Sequence, residues 1–379
     1  MLLASVVLTI FVYGVVSSML GSLLPALGFT GEQNGTLALT QAAGLGLASL
    51  SAGPVIDIHG KKVAMLAGLA AISAALWLLP NATGNFPMAA VLWFIQGLGG
   101  GVTVTASNSL VSDLGGVRRS SVLNSTNLFF GLGLMVTPFL ASSLFAGDVR
   151  GLCHFAAALS TGTLVVQAAM RMPLATGGKT FNLAAAGQLL HSPALRLFAA
   201  FAFLYVACEV GVSNWLAKYM IAAGLPAAHA FKIMSLGFAL GLLLGRVIVS
   251  RVLLRVPATN VVIGCSMLMM LTTFGMLHTG ASATSTAVAV FCVGLSMAGA
   301  YPTTLGMVGD AFPTATGSAM GLVITAGWAG LAVSSRLIGA IAGSDEGNLP
   351  AALLVFPIFS ALMIGVSLAM RRLSRNRMF

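Results

Sequence analysis

One acidic residue, Glu209, stands deep inside an apolar stretch, Phe203-Leu204-Tyr205-Val206-Ala207-Cys208-Glu209-Val210-Gly211-Val212-Ser213-Asn214-Trp215. A charged group at the centre of a bilayer costs about 2.5–3.5 kcal/mol even on insertion scales, so it must face a cavity or a partner. Low-dielectric surroundings favour the neutral carboxyl, which makes Glu209 a candidate for reversible proton uptake. The competing use of such a residue is a structural hydrogen bond to a neighbouring helix.

Amides form the second group of candidates. Asn124 and Asn127 are three residues apart and share one helix face. Primary amides both donate and accept, which suits the hydroxyls of a sugar, and Asn108, Gln41 and Gln96 offer the same chemistry. Single amides in apolar helices also serve as glue between helices. Further along, Asn214, Trp215, Tyr301 and Trp328 supply polar tips and flat apolar faces of the kind that stack on a sugar's C–H surface. Tyr301-Pro302-Thr303 is expected to break its helix, because proline has no backbone donor.

Charged residues at helix ends form a third group, with the expected role of gating. In Gly53-Pro54-Val55-Ile56-Asp57-Ile58-His59-Gly60-Lys61-Lys62, Gly53 permits close helix approach. Asp57 is expected to pair with a basic group only while the helix ends are together. Asp113, Arg118 and Asp310 lie at comparable ends, and Arg246 and Arg336 fall inside apolar runs. Arg246 is expected to pair in a gate or to snorkel. No sequence neighbour neutralises Arg336, which is read as an outer-gate partner or a substrate contact. Lys218 and Lys232 are read as snorkelling cations.

The elements that must hold these residues follow from composition. Charged residues make up 7% of the 379, hydrophobic residues 58%, and mean hydropathy is +1.00. A soluble domain carries about 25% charged residues, so most of this surface must face lipid. Apolar runs long enough to cross a hydrocarbon core recur throughout, without the alternating pattern of barrel strands. Expected spans are 4–27, 35–57, 63–83, 86–112, 121–145, 150–171, 196–221, 229–251, 258–278, 285–310, 317–343 and 350–371. The first is read as a retained span, since no basic segment precedes it and it runs past Pro25. Cys153, Cys208, Cys265 and Cys292 all lie in apolar runs without metal-site spacing, so neither disulfides, a metal nor a cofactor is expected.

The net charge of +10 is distributed between spans and not gathered on one face, which argues for topology and against nucleic acid. With the N-terminus inside, the inner loops hold Lys61, Lys62, Arg118, Arg119, Arg171, Lys179, Arg196, Arg251, Arg255, Arg371, Arg372, Arg375 and Arg377. The outer loops hold Arg150 alone, so both termini are expected in the cytoplasm of a cell whose inner (plasma) membrane carries the protein. The segment 172–195, with Pro173, Gly177, Gly178 and Pro193, divides an N-terminal six-helix bundle, 1–171, from a C-terminal one, 196–379. Faint echoes link the halves: Gly53 with Gly245, and Asp113 with Asp310. The expected fold is therefore an all-α membrane protein with twelve transmembrane helices in two pseudo-symmetric six-helix bundles, a transporter architecture.

The chain resembles the fucose–galactose–glucose:proton symporters of the major facilitator superfamily. The resemblance is carried by Gly14 through Leu24-Pro25, Gly53 to Lys62, Asn108 to Asp113, Asn124 to Gly133, Phe203 to Glu209, Gly245-Arg246 and Tyr301-Pro302-Thr303. It implies the major facilitator fold and uptake of a hexose or deoxyhexose with a proton, by rocking of two bundles in a monomer. Asn124 and Asn127 resemble the sugar-binding amides of the fucose branch. That branch carries two carboxylates where this chain has Gly21 and the Thr103-Val104 region, which shifts proton coupling to Glu209. Alternatives are an exporter or antiporter of drugs or organic metabolites, a carrier of organic anions, a non-transporting sensor and an intramembrane enzyme. Gly306-Met307-Val308-Gly309-Asp310 and Gly294-Leu295-Ser296-Met297 lack the full spacing of intramembrane protease motifs, so no enzyme is expected.

Overall fold

A computed structural model describes all residues except 24–26, 28, 30, 146–147, 173–188, 280–281, 343–347 and 377–379. Within helices the side chains of several further residues, Glu32, Pro138, Lys218 and Arg336 among them, also lie outside the described set. The expected role of Arg336, the cation Lys179 and most of the central segment therefore fall outside the described residues.

Every described element is helical. The helices are α1 (Leu2–Ser17), α2 (Met19–Leu23), α3 (Gly31–His59), α4 (Lys61–Leu78), α5 (Phe86–Gly115), α6 (Arg119–Ser143) and α7 (Val149–Ala169). They continue with α8 (Pro193–Ala222), α9 (Ala227–Lys232), a π turn (Ile233–Phe238), α10 (Ala239–Val252), α11 (Ala258–Met276) and α12 (Ala283–Met297). The last are α13 (Ala300–Ala311), α14 (Thr316–Ala342), α15 (Leu349–Leu353) and α16 (Val355–Asn376). Nine stretches among the described residues are long and apolar enough to cross a membrane. One of these, Phe86–Ala141, holds both α5 and α6. Adding α1 and the run from α9 to α10 gives twelve apolar segments, in agreement with the twelve expected. Helices are the natural outcome, because lipid cannot satisfy backbone N–H and C=O groups and a helix pairs them internally.

Two compact units form. The first comprises Met1–Gly116, Thr126–Ala186 and Phe312–Thr325; the second comprises Val117–Ser125, Gly187–Ala311 and Ala326–Phe379. The division at the central segment is thus crossed twice: the opening turns of α6 join the second unit, and those of α14 join the first.

Packing partners repeat between the units. In the first, α3 lies on α5, α4 on α5 and α7, and α1 on α5 and α7. In the second, α10 lies on α12, α11 on α12 and α16, and α8 on α13 and α16. The same order of partners recurs six spans later, a stronger sign of duplication than the sequence echoes. Small residues set the spacing. Gly97 meets the Gln41 backbone where α5 crosses α3, and Gly241 meets the Phe291 backbone where α10 crosses α12. Without a hydrophobic force between helices in lipid, such close backbone approach is what holds them.

Two of the interrupted spans lie beside the candidate residues of the second unit. The π turn loosens the eighth span just before its glycine-rich part. The tenth breaks at Ala298–Gly299, slightly earlier than the expected Tyr301. Pro302 has no N–H for the Ala298 carbonyl four residues back, so the ladder opens there and not at the proline itself.

Candidate functional site

Glu209 and Arg246 come together in the second unit. A guanidinium nitrogen of Arg246 on α10 lies 3.8 Å from a Glu209 carboxylate oxygen on α8. The arginine side chain is 5% exposed and the glutamate 21%. The carboxylate is thus the less enclosed member of the pair. Sequence reasoning found each residue and missed the pairing. The signal was faint: 37 positions separate them, and the π turn between α9 and α10 adds a residue that rotates the face on which Arg246 lies.

Stacked aromatic rings lie beside Glu209. Tyr205, one helical turn before Glu209, is fully buried and donates its hydroxyl to the Met297 carbonyl at 2.6 Å. That carbonyl ends α12 just before the break. The Tyr205 ring stacks on Tyr301 of α13, with centroids 5.5 Å apart. Trp328 lies on α14, where its neighbour Gly327 meets Val206 and Gly330 meets the Phe203 backbone of α8. Its indole N–H is buried and has no acceptor among the described residues. Trp215 is half-buried and Asn214 is exposed on α8.

The amides do not form one cluster. Gln41 Nε2 donates to Gln96 Oε1 at 2.7 Å, and Asn127 Nδ2 donates to Asn108 Oδ1 at 3.2 Å, both within the first unit. Asn124, expected to act beside Asn127, belongs to the second unit. Its Nδ2 donates to Thr303 Oγ1 and the Ser120 carbonyl, both at 2.9 Å, and the side chain is fully buried. The two asparagines share a helix face in sequence but diverge where α6 passes from one unit to the other.

The charged helix ends are arranged differently from the expected pattern. Asp57 does not have a lysine or arginine as its hydrogen-bonded partner. Its carboxylate accepts from the backbone N–H groups of Gly317 at 3.2 Å and Ser318 at 3.0 Å, and from the Ser318 hydroxyl. These groups open α14, so Asp57 caps a helix whose first N–H groups have no intrahelical acceptor and carry partial positive charge. Gly53 and Gly317 make the approach possible: a Cβ on Gly53 would come within 2.7 Å of the Gly317 carbonyl oxygen. Lys61 goes instead to Asp113, at 2.8 Å. Lys62 caps α7 through the carbonyls of Ala168 and Met170, at 2.7 and 2.8 Å. Gly60 turns the chain between α3 and α4 at φ 88. In the second unit Arg119 pairs with Asp310 at 2.8 Å, and Ser121 donates to the Ser250 carbonyl at 2.7 Å. Arg119, not the exposed Arg118, is the cation used there. Among the described residues no cluster of three or more metal-ligating side chains occurs.

No protein with a curated description matches the chain in sequence. The solved structures give close matches in fold. The Escherichia coli fucose:proton symporter has 17% identity and a TM-score of 0.85, with 97% of this chain and 98% of that one covered. A proton:xylose symporter bound to 6-bromo-6-deoxy-D-glucose has 13% identity and a TM-score of 0.76, covering 96% and 93%. A human organic anion transporter has 17% identity and a TM-score of 0.79, covering 97% and 98%. At these identities the likeness concerns the fold. The sequence profile described as Major Facilitator Superfamily matches residues 2–335, most of the length, and the chain belongs to that superfamily of multi-pass membrane transporters.

Proposed function

We propose that this protein is a proton-coupled transporter that takes up a neutral hexose or deoxyhexose by alternating access, with Glu209 as the proton carrier. The observation that carries the reading is the Glu209–Arg246 pair, 3.8 Å apart, with the carboxylate at 21% exposure and the guanidinium at 5%. When Glu209 takes a proton, Arg246 loses its counter-charge, and contacts between α8 and α10 change in strength. A proton can drive the change of facing only if the two facings bind it with different affinity, and a pair that must separate supplies that difference. Because the pair neutralises itself, the surroundings favour an uncharged substrate. Asn108, Asn127, Gln41 and Gln96 would supply hydroxyl partners, and Trp215, Tyr301 and Trp328 the flat apolar faces. Asn124 and Asn214 complete the proposed substrate set.

In this reading the Asp57 cap, with Lys61–Asp113, Arg119–Asp310 and Ser121–Ser250, forms the gate that must open in each cycle. The protein would act as a monomer in the inner membrane, with both termini in the cytoplasm. Proteoliposome uptake of labelled hexoses, deoxyhexoses and organic anions, with and without an imposed pH gradient, tests the reading. Glu209→Gln is expected to lose pH-driven accumulation while keeping substrate exchange. Accumulation that survives intact in that variant overturns the assignment. Arg246 gives one specific reason for a second reading, carriage of organic anions, and preferential uptake of those over sugars would select it.

A further inference from the structure

One side chain reaches across the break in the tenth span. The hydroxyl of Tyr205 on α8 donates to the carbonyl of Met297, the last residue of α12, at 2.6 Å. Its ring stacks on Tyr301, in the first turn of α13, with centroids 5.5 Å apart and planes 13° from parallel. The same ring stacks on Phe201, one turn earlier on α8, at 6.4 Å. Carbonyls in the last turn of a helix lack intrahelical donors, so the phenol supplies a donor where the ladder ends. α10 closes on the same break. A Cβ on Gly245 would stand 2.5 Å from the Ala298 Cβ and 2.6 Å from the Leu295 carbonyl oxygen, and Gly299 lies against the Val249 side chain. Arg246 follows Gly245 directly, and Glu209 lies one turn beyond Tyr205. The helices that carry the charge pair thus both grip the break.

We propose that Tyr205 is the positioning residue that carries the charge state of Glu209 to the break in span ten. The inference rests on the reading of Glu209 as proton carrier and adds the route by which its proton moves a helix. With Glu209 charged, its attraction for Arg246 draws α8 towards α10, and Tyr205 holds Met297 and Tyr301 in register across the break. Once Glu209 is neutral that attraction is lost, α8 shifts against α10, and the shift reaches Met297 through one hydrogen bond. Through the ring stack it also reaches Tyr301, one of the flat faces proposed for the substrate. Among the described residues, Arg246 and Tyr205 are the charged or titratable groups that act on Glu209, and Cys265 of α11 acts on Tyr205. Other charges on the helices packed against α8 lie towards helix ends: Asp310 with Arg119, Lys232 on α9, Arg371 and Arg372 on α16. A bare packing role would need the ring of Tyr205 and not its hydroxyl.

The test follows amide hydrogen exchange of residues 295–301 in the full-length protein in detergent, at about pH 5 and about pH 8, corrected for intrinsic exchange. The wild type is expected to exchange faster at the acid pH by about two- to tenfold, the range of a single buried hydrogen bond. Glu209→Gln is expected to exchange at the faster rate at both pH values. Tyr205→Phe, which keeps the ring, is expected to show one rate at both. Its thermal unfolding midpoint should still keep the part of the pH dependence that Glu209→Gln removes. A Tyr205→Phe variant that retains the ratio between the two pH values overturns the proposal and leaves Glu209 as carrier. So does one whose midpoint loses that pH dependence, since Tyr205 would then act on the proton and not on its transmission. No difference between the two pH values in the wild type, or a full difference in Glu209→Gln, overturns the reading of Glu209 and this inference with it.

Discussion

A carboxylate and a guanidinium about 4 Å apart attract by about 4 kcal/mol at an effective dielectric of about 20. Removing both from water costs several kcal/mol per ion. For Glu209 and Arg246 the cost of burying two ions at least matches their attraction, so the pair is better understood as a switch than as a staple. A test at this scale compares thermal unfolding of Glu209→Gln, Arg246→Met and the double variant. Each single variant leaves one deep group without its partner and should destabilise, whereas the double variant should be at least as stable as either. Additive losses would show that the two groups do not act as a pair. By contrast, Lys61→Ala should cost no more than about 1 kcal/mol, since Asp113 is 35% exposed and such partly solvated pairs are weak.

The cap that Asp57 places on α14 belongs to the scale of helices. Side-chain caps contribute about 0.5–2 kcal/mol, and asparagine caps nearly as well as aspartate. Asp57→Ala should therefore weaken the clasp more than Asp57→Asn, read as the larger fall in the thermal unfolding midpoint. Gly53→Val should act in the same direction by forcing the helices apart, at about 1–3 kcal/mol. Sequence reasoning located Asp57 and the close approach at Gly53 but assigned Asp57 a basic partner, because a helix end has no residue type that announces its partial charge. The spans were legible for a different reason: lipid imposes length and apolarity directly on composition. The Glu209–Arg246 pairing was not, since it depends on the rotation of α8 against α10, and the π turn alters that rotation without changing the apolar pattern. Asn124 and Asn127 show the same limit. Their shared face is a local property, while their separate partners are set by where α6 leaves one unit for the other.

At the scale of the molecule, the duplication is carried by packing order more than by residues. α3 on α5 and α10 on α12 use glycine at corresponding crossings, although few residues repeat between the halves. The surplus of Lys and Arg in one set of loops predicts that reporter fusions at both ends of the chain will read out as cytoplasmic. A translocated reporter at either end would reverse the orientation used throughout.

The exchange of helix beginnings has a consequence for biosynthesis. Val117–Ser125 finds its partners, Ser250, Thr303 and Asp310, only in stretches that leave the ribosome more than a hundred residues later. The first six spans can thus enter the bilayer in order, yet one helix start must wait, unattached, until the tenth span arrives. A nascent chain arrested near residue 200 should leave a cysteine at Ser121 open to labelling that the finished protein suppresses. Completion of the first half is, in this sense, deferred to the second.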